Sequence, residues 1–216
     1  MEARELSARM ITLYTAAESL YCAKVRIALR HKGVAFREVE KPAGYLAIVP
    51  QGSLPGMDHA GFVLGDSEAI IEYVEERFAG PALLPGGVEA RARMRERARF
   101  HDTRLEPALR GWFPHVAPAG RDPAAVARQA GEIDKHLARF TGQLARGADL
   151  PFGLGDCGLP VTFAWIDLIA PALGARIDWP EAVIAYRARI AAEPAVAVEM
   201  ARYRPHMEAW MARKLG

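Results

Sequence analysis

A serine and a cysteine, Ser19 and Cys22, stand three residues apart where a helical pattern begins in the stretch ESLYCAKVRIALRHKG. The first turn of a helix offers unpaired backbone N–H groups and a partial positive charge, and both favour a thiolate at that place. Ser19 is therefore either a plain N-cap or a hydroxyl that donates to a bound thiolate. Cys22 is either a small buried filler or a nucleophile.

Two dipeptides, Leu54-Pro55 and Asp66-Ser67, could hold a peptide-like ligand. Cis peptide bonds are rare, so the sequence alone predicts a trans bond before Pro55. A cis bond would leave the backbone N–H and C=O of Leu54 free to pair with an added strand. Ser67 is predicted to be a helix N-cap, and the same helix start can bind a carboxylate while Asp66 accepts from an ammonium. These groups together suit the head of an amino acid.

Two further polar residues, Lys41 and Gln51, lie in the loop segment EKPAGYLAIVPQGSLPG. A lysine in a loop is usually only solvated. If a peptide lay along Leu54, however, Lys41 could reach its far carboxylate, and Gln51 is a similar but weaker candidate.

An alternating pattern of strands and helices must position these residues. MITLY and VAFREV are typical of strands, and a helical pattern over residues 20–32, closed by Gly33, lies between them. Two short strands, LPGM and GFVL, then precede a second helix over residues 67–78. The order βαβ followed by ββα predicts a parallel first strand pair and an α/β fold class.

Beyond the Pro- and Gly-rich segment AGPALLPGG, only helical patterns follow. The predicted helices cover residues 89–110, 123–146, 162–173, 180–192 and 194–213. We therefore predict an α/β domain, a linker and an all-α helical domain. Their predicted bounds are residues 1–80, 81–88 and 89–216.

The bulk composition gives no sign of a nucleic-acid or membrane partner. The formal charge is +2, from 28 basic and 26 acidic residues, so long-range steering of a polyanion is weak. The arginine-rich run at residues 89–100 is typical of a solvated helix face. The chain has two cysteines without a CxxC motif, which favours a reducing cytoplasm. No apolar run suits a signal peptide or a membrane span.

Four stretches, taken in order, resemble the cytosolic glutathione S-transferases of the serine-type (zeta, phi, tau and bacterial) branch. They are LYTAAESLYCAKVRIALRHKG, VPQGSLPGM, GFVLGDSEAIIEYVEERF and PALLP, within residues 11–85. The resemblance implies a thioredoxin-like N-terminal domain, an all-helical C-terminal domain and a homodimer. It also implies glutathione as co-substrate, no metal, and detoxification chemistry on a small hydrophobic electrophile by conjugation, dehalogenation or isomerisation.

The resemblance also implies roles for single residues. Ser19 matches the position that donates a hydrogen bond to the glutathione sulfur, and Pro55 matches the family's cis-proline, which reverses the expectation of a trans bond. The glutathione-binding set that the resemblance implies is Lys41, Gln51, Leu54, Pro55, Asp66 and Ser67. The electrophile pocket is expected to be lined by Ala17, His101, Arg104 and Trp112.

Three alternatives remain open from the sequence. In the first, Cys22 is the nucleophile of a thiol-disulfide or glutathione-lyase enzyme. In the second, the protein binds glutathione without catalysing a reaction. In the third, Tyr14 at the end of the first strand replaces Ser19 as the group that faces the sulfur.

Overall fold

The N-terminal part of the chain folds around one mixed sheet. The computed structural model describes residues 10–147 and 150–216, so the predicted domain start at residues 1–9 lies outside the described residues. The strands are β1 (Ile11–Thr15), β2 (Phe36–Glu40), β3 (Gly56–His59) and β4 (Phe62–Gly65). Their order is β2-β1-β3-β4, with β1 parallel to β2 and β3 antiparallel to both of its neighbours. This topology confirms the predicted βαβ-ββα order and the thioredoxin-like sheet.

Three helices complete the N-terminal part of the chain that the structure describes. They are α1 (Leu20–Lys32), α2 (Tyr45–Ile48) and α3 (Ser67–Arg77). The short helix α2 was not predicted, because four residues leave no measurable periodicity. Helix α1 ends at Gly33, whose φ of 71° lies in the left-handed region that glycine adopts without steric cost. Ile11 and Leu13 of β1 are fully buried in the same core as the apolar side of α1.

The rest of the described chain is helical, as predicted. Its helices are α4 (Val88–Phe100), α5 (Glu106–Arg110), α6 (Pro123–Arg146), α7 (Leu159–Ala172), α8 (Glu181–Ala191) and α9 (Pro194–Leu215). A π-helical segment, His101–Leu105, joins α4 to α5. The predicted helix at 89–110 is therefore continuous but changes its hydrogen-bond pattern just before Pro107, which has no N–H to donate.

Buried ion pairs join the two parts of the chain. The Arg26 side chain of α1 donates from Nε to Glu199 of α9 at 2.7 Å, and Arg30 reaches the other oxygen of Glu199 at 2.5 Å. Glu199 is fully buried, so both arginines neutralise a carboxylate that water does not reach. Helix α9 is thereby fixed against α1, the helix that begins at Ser19.

None of the described helices combines the length and the apolar character that crossing a bilayer requires.

Candidate functional site

Ser19 is the N-cap of α1, with extended backbone angles of φ −74° and ψ 118°. Its Oγ accepts a hydrogen bond from the Cys22 N–H at 3.3 Å, and its own N–H donates to the Ala16 carbonyl at 3.1 Å. Among the described residues no acceptor takes the Ser19 hydroxyl proton, and the side chain is partly exposed. The hydroxyl can therefore cap the helix and donate to a ligand at the same time.

The thiol of Cys22 lies on the inner side of α1 and is fully buried. A nucleophilic cysteine must be reached by its substrate, so this burial favours the role of a small core residue. Cys157, in the helical part, is also fully buried and free, and burial raises the pKa of its thiol. In the described ranges no group of three or more His, Cys, Asp or Glu side chains is arranged to hold a metal ion.

The bond between Leu54 and Pro55 is cis, as the resemblance implied and against the expectation from sequence alone. Leu54 is partly exposed and Pro55 is buried beneath it. The loop before this bond is held by two side chains. The Tyr45 hydroxyl donates to the Ser53 carbonyl at 2.9 Å, and Lys41 Nζ donates to the Gly52 carbonyl at 3.0 Å.

Lys41 and Gln51 are both exposed, and the ammonium of Lys41 reaches this loop at Gly52. The ammonium of Lys41 also lies 5.2 Å from the centre of the Tyr45 ring. Tyr45 is in turn packed edge-on against Tyr14, with ring centres 5.6 Å apart. Burial raises the pKa of Tyr45 to about 12. The ring of Tyr14 is thus part of an aromatic pair next to the loop, rather than a side chain standing free at the end of β1.

The start of α3 differs from the expectation in one respect. Asp66, not Ser67, is the N-cap: its Oδ1 accepts from the N–H groups of Glu68 at 2.9 Å and Ala69 at 3.1 Å. A carboxylate two and three residues before those amides reaches them better than the hydroxyl of a residue already inside the helix. In consequence the Ser67 hydroxyl has no partner among the described residues and remains available to a ligand, as does the second oxygen of Asp66.

A cleft of about 300 Å³ opens at this helix start. One wall comes from the N-terminal part and the other from α4 and the π-helical segment. Its lining residues are Tyr21, Ser53, Leu54, Asp66, Ser67, Arg99, Asp102 and Thr103. The structure thus brings Leu54, Asp66 and Ser67 together, whereas Ser19, Lys41 and Gln51 lie outside this lining, on the neighbouring loops.

The sequence analysis expected His101 and Arg104 of this helical stretch at a pocket, but it missed the residues that form the second wall of the cleft. Arg99, Asp102 and Thr103 lie on one face of a continuous helical stretch, because they are spaced i, i+3 and i+4. That spacing was visible in the sequence, but the arginine-rich run around it was interpreted only as a solvated face.

A buried ionic network supports the floor of the cleft. Lys24 of α1, only 1% exposed, donates from Nζ to Glu68 at 2.6 Å and to Asp102 at 2.8 Å. Burial alone would lower the pKa of Lys24, but the two carboxylates outweigh it and raise that pKa. Burial would likewise raise the pKa of Asp102, yet the hydrogen bond from His101 and the charge of Lys24 lower it to about 2. Asp102 therefore presents a negative charge to the cleft.

Two of the four residues expected to line an electrophile pocket do not line an open surface. Trp112 is fully buried, and its indole N–H donates to the Val126 carbonyl at 3.1 Å. His101 is 1% exposed and lies between Asp102 and Thr162, each 2.7 Å from a ring nitrogen. Both expectations were wrong because these side chains turn inward from α4 and the segments after it. Ala17 is partly exposed and Arg104 is exposed.

The chain matches a known family model in its N-terminal part, and it matches some known proteins over most of its length. A family model described as "Glutathione S-transferase, N-terminal domain" matches residues 13–82. A stringent starvation protein A homolog of Pasteurella multocida is 30% identical over 191 residues, which cover 84% of this chain and 85% of that protein. A maleylacetoacetate isomerase of Pseudomonas aeruginosa is 42% identical over 95 residues, but these cover 38% of this chain and 44% of that protein.

Solved structures show the same fold. A tau class glutathione S-transferase from mango superposes with a TM-score of 0.76 at 22% identity and covers 95% of this chain and 98% of its own. A theta class glutathione S-transferase from Xanthomonas axonopodis pv. citri, solved with glutathione bound, superposes with a TM-score of 0.71 at 25% identity. The match covers 88% of this chain and 96% of that one. Taken together with the match over the N-terminal domain and the relative aligned over most of both chains, these findings show that the protein belongs to the glutathione S-transferase family.

Proposed function

We propose that the protein binds glutathione along the cleft and the Leu54 loop, and that the hydroxyl of Ser19 keeps the glutathione sulfur ionised. In this arrangement the γ-glutamyl carboxylate lies at the start of α3, on the N–H and hydroxyl of Ser67, and the free oxygen of Asp66 accepts from its ammonium. The cysteinyl backbone pairs with Leu54. A tripeptide spans roughly 10 Å when extended, which is the reach needed to leave the cleft toward the loops around it.

The glycine end of the tripeptide then lies toward Lys41 and Gln51. Their exposed positions support this direction, since a carboxylate placed there remains in contact with water. The ammonium of Lys41 already lies on the Gly52 carbonyl, two residues before Leu54, so a small rotation brings it to the ligand.

Stabilising the thiolate requires little energy from the protein. A free thiol titrates near about 8.5, and lowering that value by about two units takes about 2.7 kcal/mol. A hydrogen bond to a charged group contributes about 1.5 to 3 kcal/mol, and a helix start adds about 0.3 to 1 kcal/mol. One hydroxyl at the N-terminus of α1 is therefore sufficient, and no general base is needed.

The observation that carries the proposal is the contrast between Ser19 and Cys22. The hydroxyl of Ser19 is partly exposed at the helix start with its proton uncommitted among the described residues, whereas the thiol of Cys22 is fully buried. This contrast favours thiolate stabilisation over mixed-disulfide or lyase chemistry on Cys22.

The reaction that follows is attack of the thiolate on an electrophilic carbon, or its reversible addition to an unsaturated acid. The first is conjugation or dehalogenation and the second is isomerisation. The isomerases among the relatives support the second, although they match less than half of this chain. The exposed guanidinium of Arg104 and that of Arg99 in the cleft suit a substrate that carries a carboxylate.

A second candidate function is glutathione binding without catalysis. Two relatives that match over most of their own length are stringent starvation protein A homologs, and their name does not refer to an enzymatic reaction. Under this alternative the tripeptide occupies the same site, but the sulfur shows no lowered pKa.

A thiol titration with the wild-type protein and two variants tests the proposal. With wild-type protein we expect the bound thiol to titrate about two units below free glutathione, followed by its ultraviolet thiolate absorbance. Ser19→Ala is expected to raise that pKa by about one to two units, because the hydroxyl contacts only the sulfur. Calorimetry at a pH below the pKa of the bound thiol should show unchanged glutathione affinity, whereas at higher pH the variant should bind more weakly, since the stabilised thiolate is then the bound form. Cys22→Ala, the matched control on the same helical turn, should leave the pKa unchanged. An unperturbed thiol in the wild-type complex would favour the non-catalytic alternative.

The proposal also includes a homodimer, a cytoplasmic location and a role in detoxification. A homodimer is supported by the half-exposed Phe62 on edge strand β4, a large aromatic ring that a second copy would cover. A cytoplasmic location and a role in detoxification are supported by the family relationship and by two cysteines that are both free.

A further inference from the structure

The peptide unit that carries Ser19 is hydrogen-bonded at both ends. On its amide side, the Ser19 N–H donates to the Ala16 carbonyl at 3.1 Å. On its carbonyl side, the oxygen of Glu18 accepts from the hydroxyl of Tyr203 at 2.6 Å. With both ends held, this peptide plane is fixed. The Ser19 carbonyl on the other side accepts from the Ala23 N–H at 3.1 Å, so the two peptides together set the direction of the Cα–Cβ bond of Ser19.

The second of these bonds comes from the helical part of the chain. Tyr203 lies on α9, is fully buried and is separated from Glu18 by 185 residues. The indole N–H of Trp165 on α7 donates to the Tyr203 oxygen at 3.0 Å. An indole only donates and a carbonyl only accepts, so the proton directions are unambiguous: Trp165 to Tyr203, and Tyr203 to Glu18.

We propose that Tyr203 is a positioning residue for Ser19, aiming its hydroxyl at the glutathione sulfur through the Glu18 carbonyl. This inference rests on the proposed role of Ser19. Tyr203 is not a catalytic residue, because its fully buried hydroxyl cannot touch a ligand in the cleft. The Trp165 donor polarises the tyrosine hydroxyl and strengthens the bond to the loop. Docking of α7 and α9 is therefore part of the active site's geometry.

The charged groups around the Ser19 loop are already paired. The positioning of Ser19 by Tyr203 therefore does not depend on the titration of any of them. These pairs are Glu18 with Arg213, Glu38 with Arg26 and Arg202, and Glu199 with Arg26 and Arg30. On the other side of the loop, the Tyr21 hydroxyl donates to Glu106, which also pairs with Arg110. Burial raises the pKa of Tyr203, which keeps its hydroxyl protonated as a donor throughout the neutral range.

The test is the thiol titration with Tyr203→Phe, which removes the hydroxyl and keeps the ring. We expect the pKa of bound glutathione to rise by about 0.5 to 1 unit, a three- to tenfold loss of thiolate below that pKa, with glutathione affinity unchanged when it is measured below the pKa of the bound thiol. Trp165→Phe should give a smaller rise, because the Tyr203 hydroxyl stays but loses its donor. The matched control is Tyr186→Phe, which removes another buried tyrosine hydroxyl of the helical part, one that is bonded to Asp156 rather than to the Ser19 loop.

The outcomes separate the two proposals. If Ser19→Ala raises the thiol pKa but Tyr203→Phe does not, the positioning role is overturned and the role of Ser19 stands. If Tyr203→Phe and Tyr186→Phe raise it equally, the effect is general loosening and the positioning role is again overturned. If Ser19→Ala itself leaves the thiol pKa unchanged, the proposed function fails first. A rise confined to Tyr203→Phe and Trp165→Phe supports the inference.

Discussion

Asp102 links the two walls of the cleft, since it lies on the helical side and binds Lys24 of α1. Its pKa is lowered from the ordinary 3.8 to about 2. A lowered acid pKa stabilises the fold at any pH where the carboxylate is ionised, because the unfolded chain binds the proton more tightly than the folded chain does. The stability is therefore fully present above about pH 4 and is lost as the pH falls toward 2. Its size is about 2 kcal/mol.

Asp102→Asn is accordingly expected to lower the free energy of unfolding by about 2 kcal/mol at pH 7, with the gap to wild type closing between about pH 4 and pH 2. Urea unfolding at a series of pH values measures this difference in the free energy of unfolding between the variant and the wild type. Asp167→Asn is the matched control, since Asp167 is exposed and pairs with Arg187 at a site where an ion pair contributes little. A gap for Asp102→Asn that stays constant with pH would contradict this account of the network.

Local sequence signals predicted some single residues well. Ser19 was expected as a possible N-cap, and the cis bond before Pro55 followed from the resemblance to the family. The cap of α3 was assigned to Ser67 instead of Asp66, because both residue types cap helices and only the backbone angles of Asp66 decide between them. The Trp112 side chain points inward because of the helices that surround it. The residues next to Trp112 in sequence do not encode which helices those are.

At the scale of elements, α9 is attached to α1 by the buried carboxylate of Glu199, and to β2 and the loop before α1 by the exposed arginines Arg202 and Arg213. We expect Glu199→Gln to lower the free energy of unfolding by about 3 kcal/mol, because it leaves the buried guanidinium of Arg26 with less compensating charge. Arg213→Gln, on the same helix but 59% exposed, should cost under about 1 kcal/mol. Urea unfolding compares the two variants, and equal losses would show that burial does not decide the strength of these pairs.

The sequence predicted the existence and order of the elements more reliably than their ends. Periodicity placed every long helix, because an apolar stripe over three or more turns is a strong signal. Helix α7 begins at Leu159 rather than at residue 162, since Pro160 suits the first turn of a helix although it interrupts the pattern. The π-helical segment carried no periodic signal that distinguishes it from the helices on either side.

At the scale of the whole molecule, the site depends on pairs that lie far apart in the chain. Tyr203 and Glu18 are 185 residues apart, and Arg26 and Glu199 are 173 apart. Helical periodicity reports only neighbours within a few turns, so no pattern in the sequence could join these partners. The family resemblance covered residues 11–85 and likewise did not reach α9, which explains why the support of Ser19 from the helical part was missed.

The central claim is that the Ser19 hydroxyl faces the sulfur of bound glutathione, and a crystal structure of the glutathione complex tests it most directly. We predict the sulfur within about 3.5 Å of Ser19 Oγ, at the N-terminus of α1, with the γ-glutamyl head at Ser67. A structure in which the tripeptide is bound with its sulfur turned away from Ser19, toward the ring of Tyr14 or elsewhere, would contradict the account.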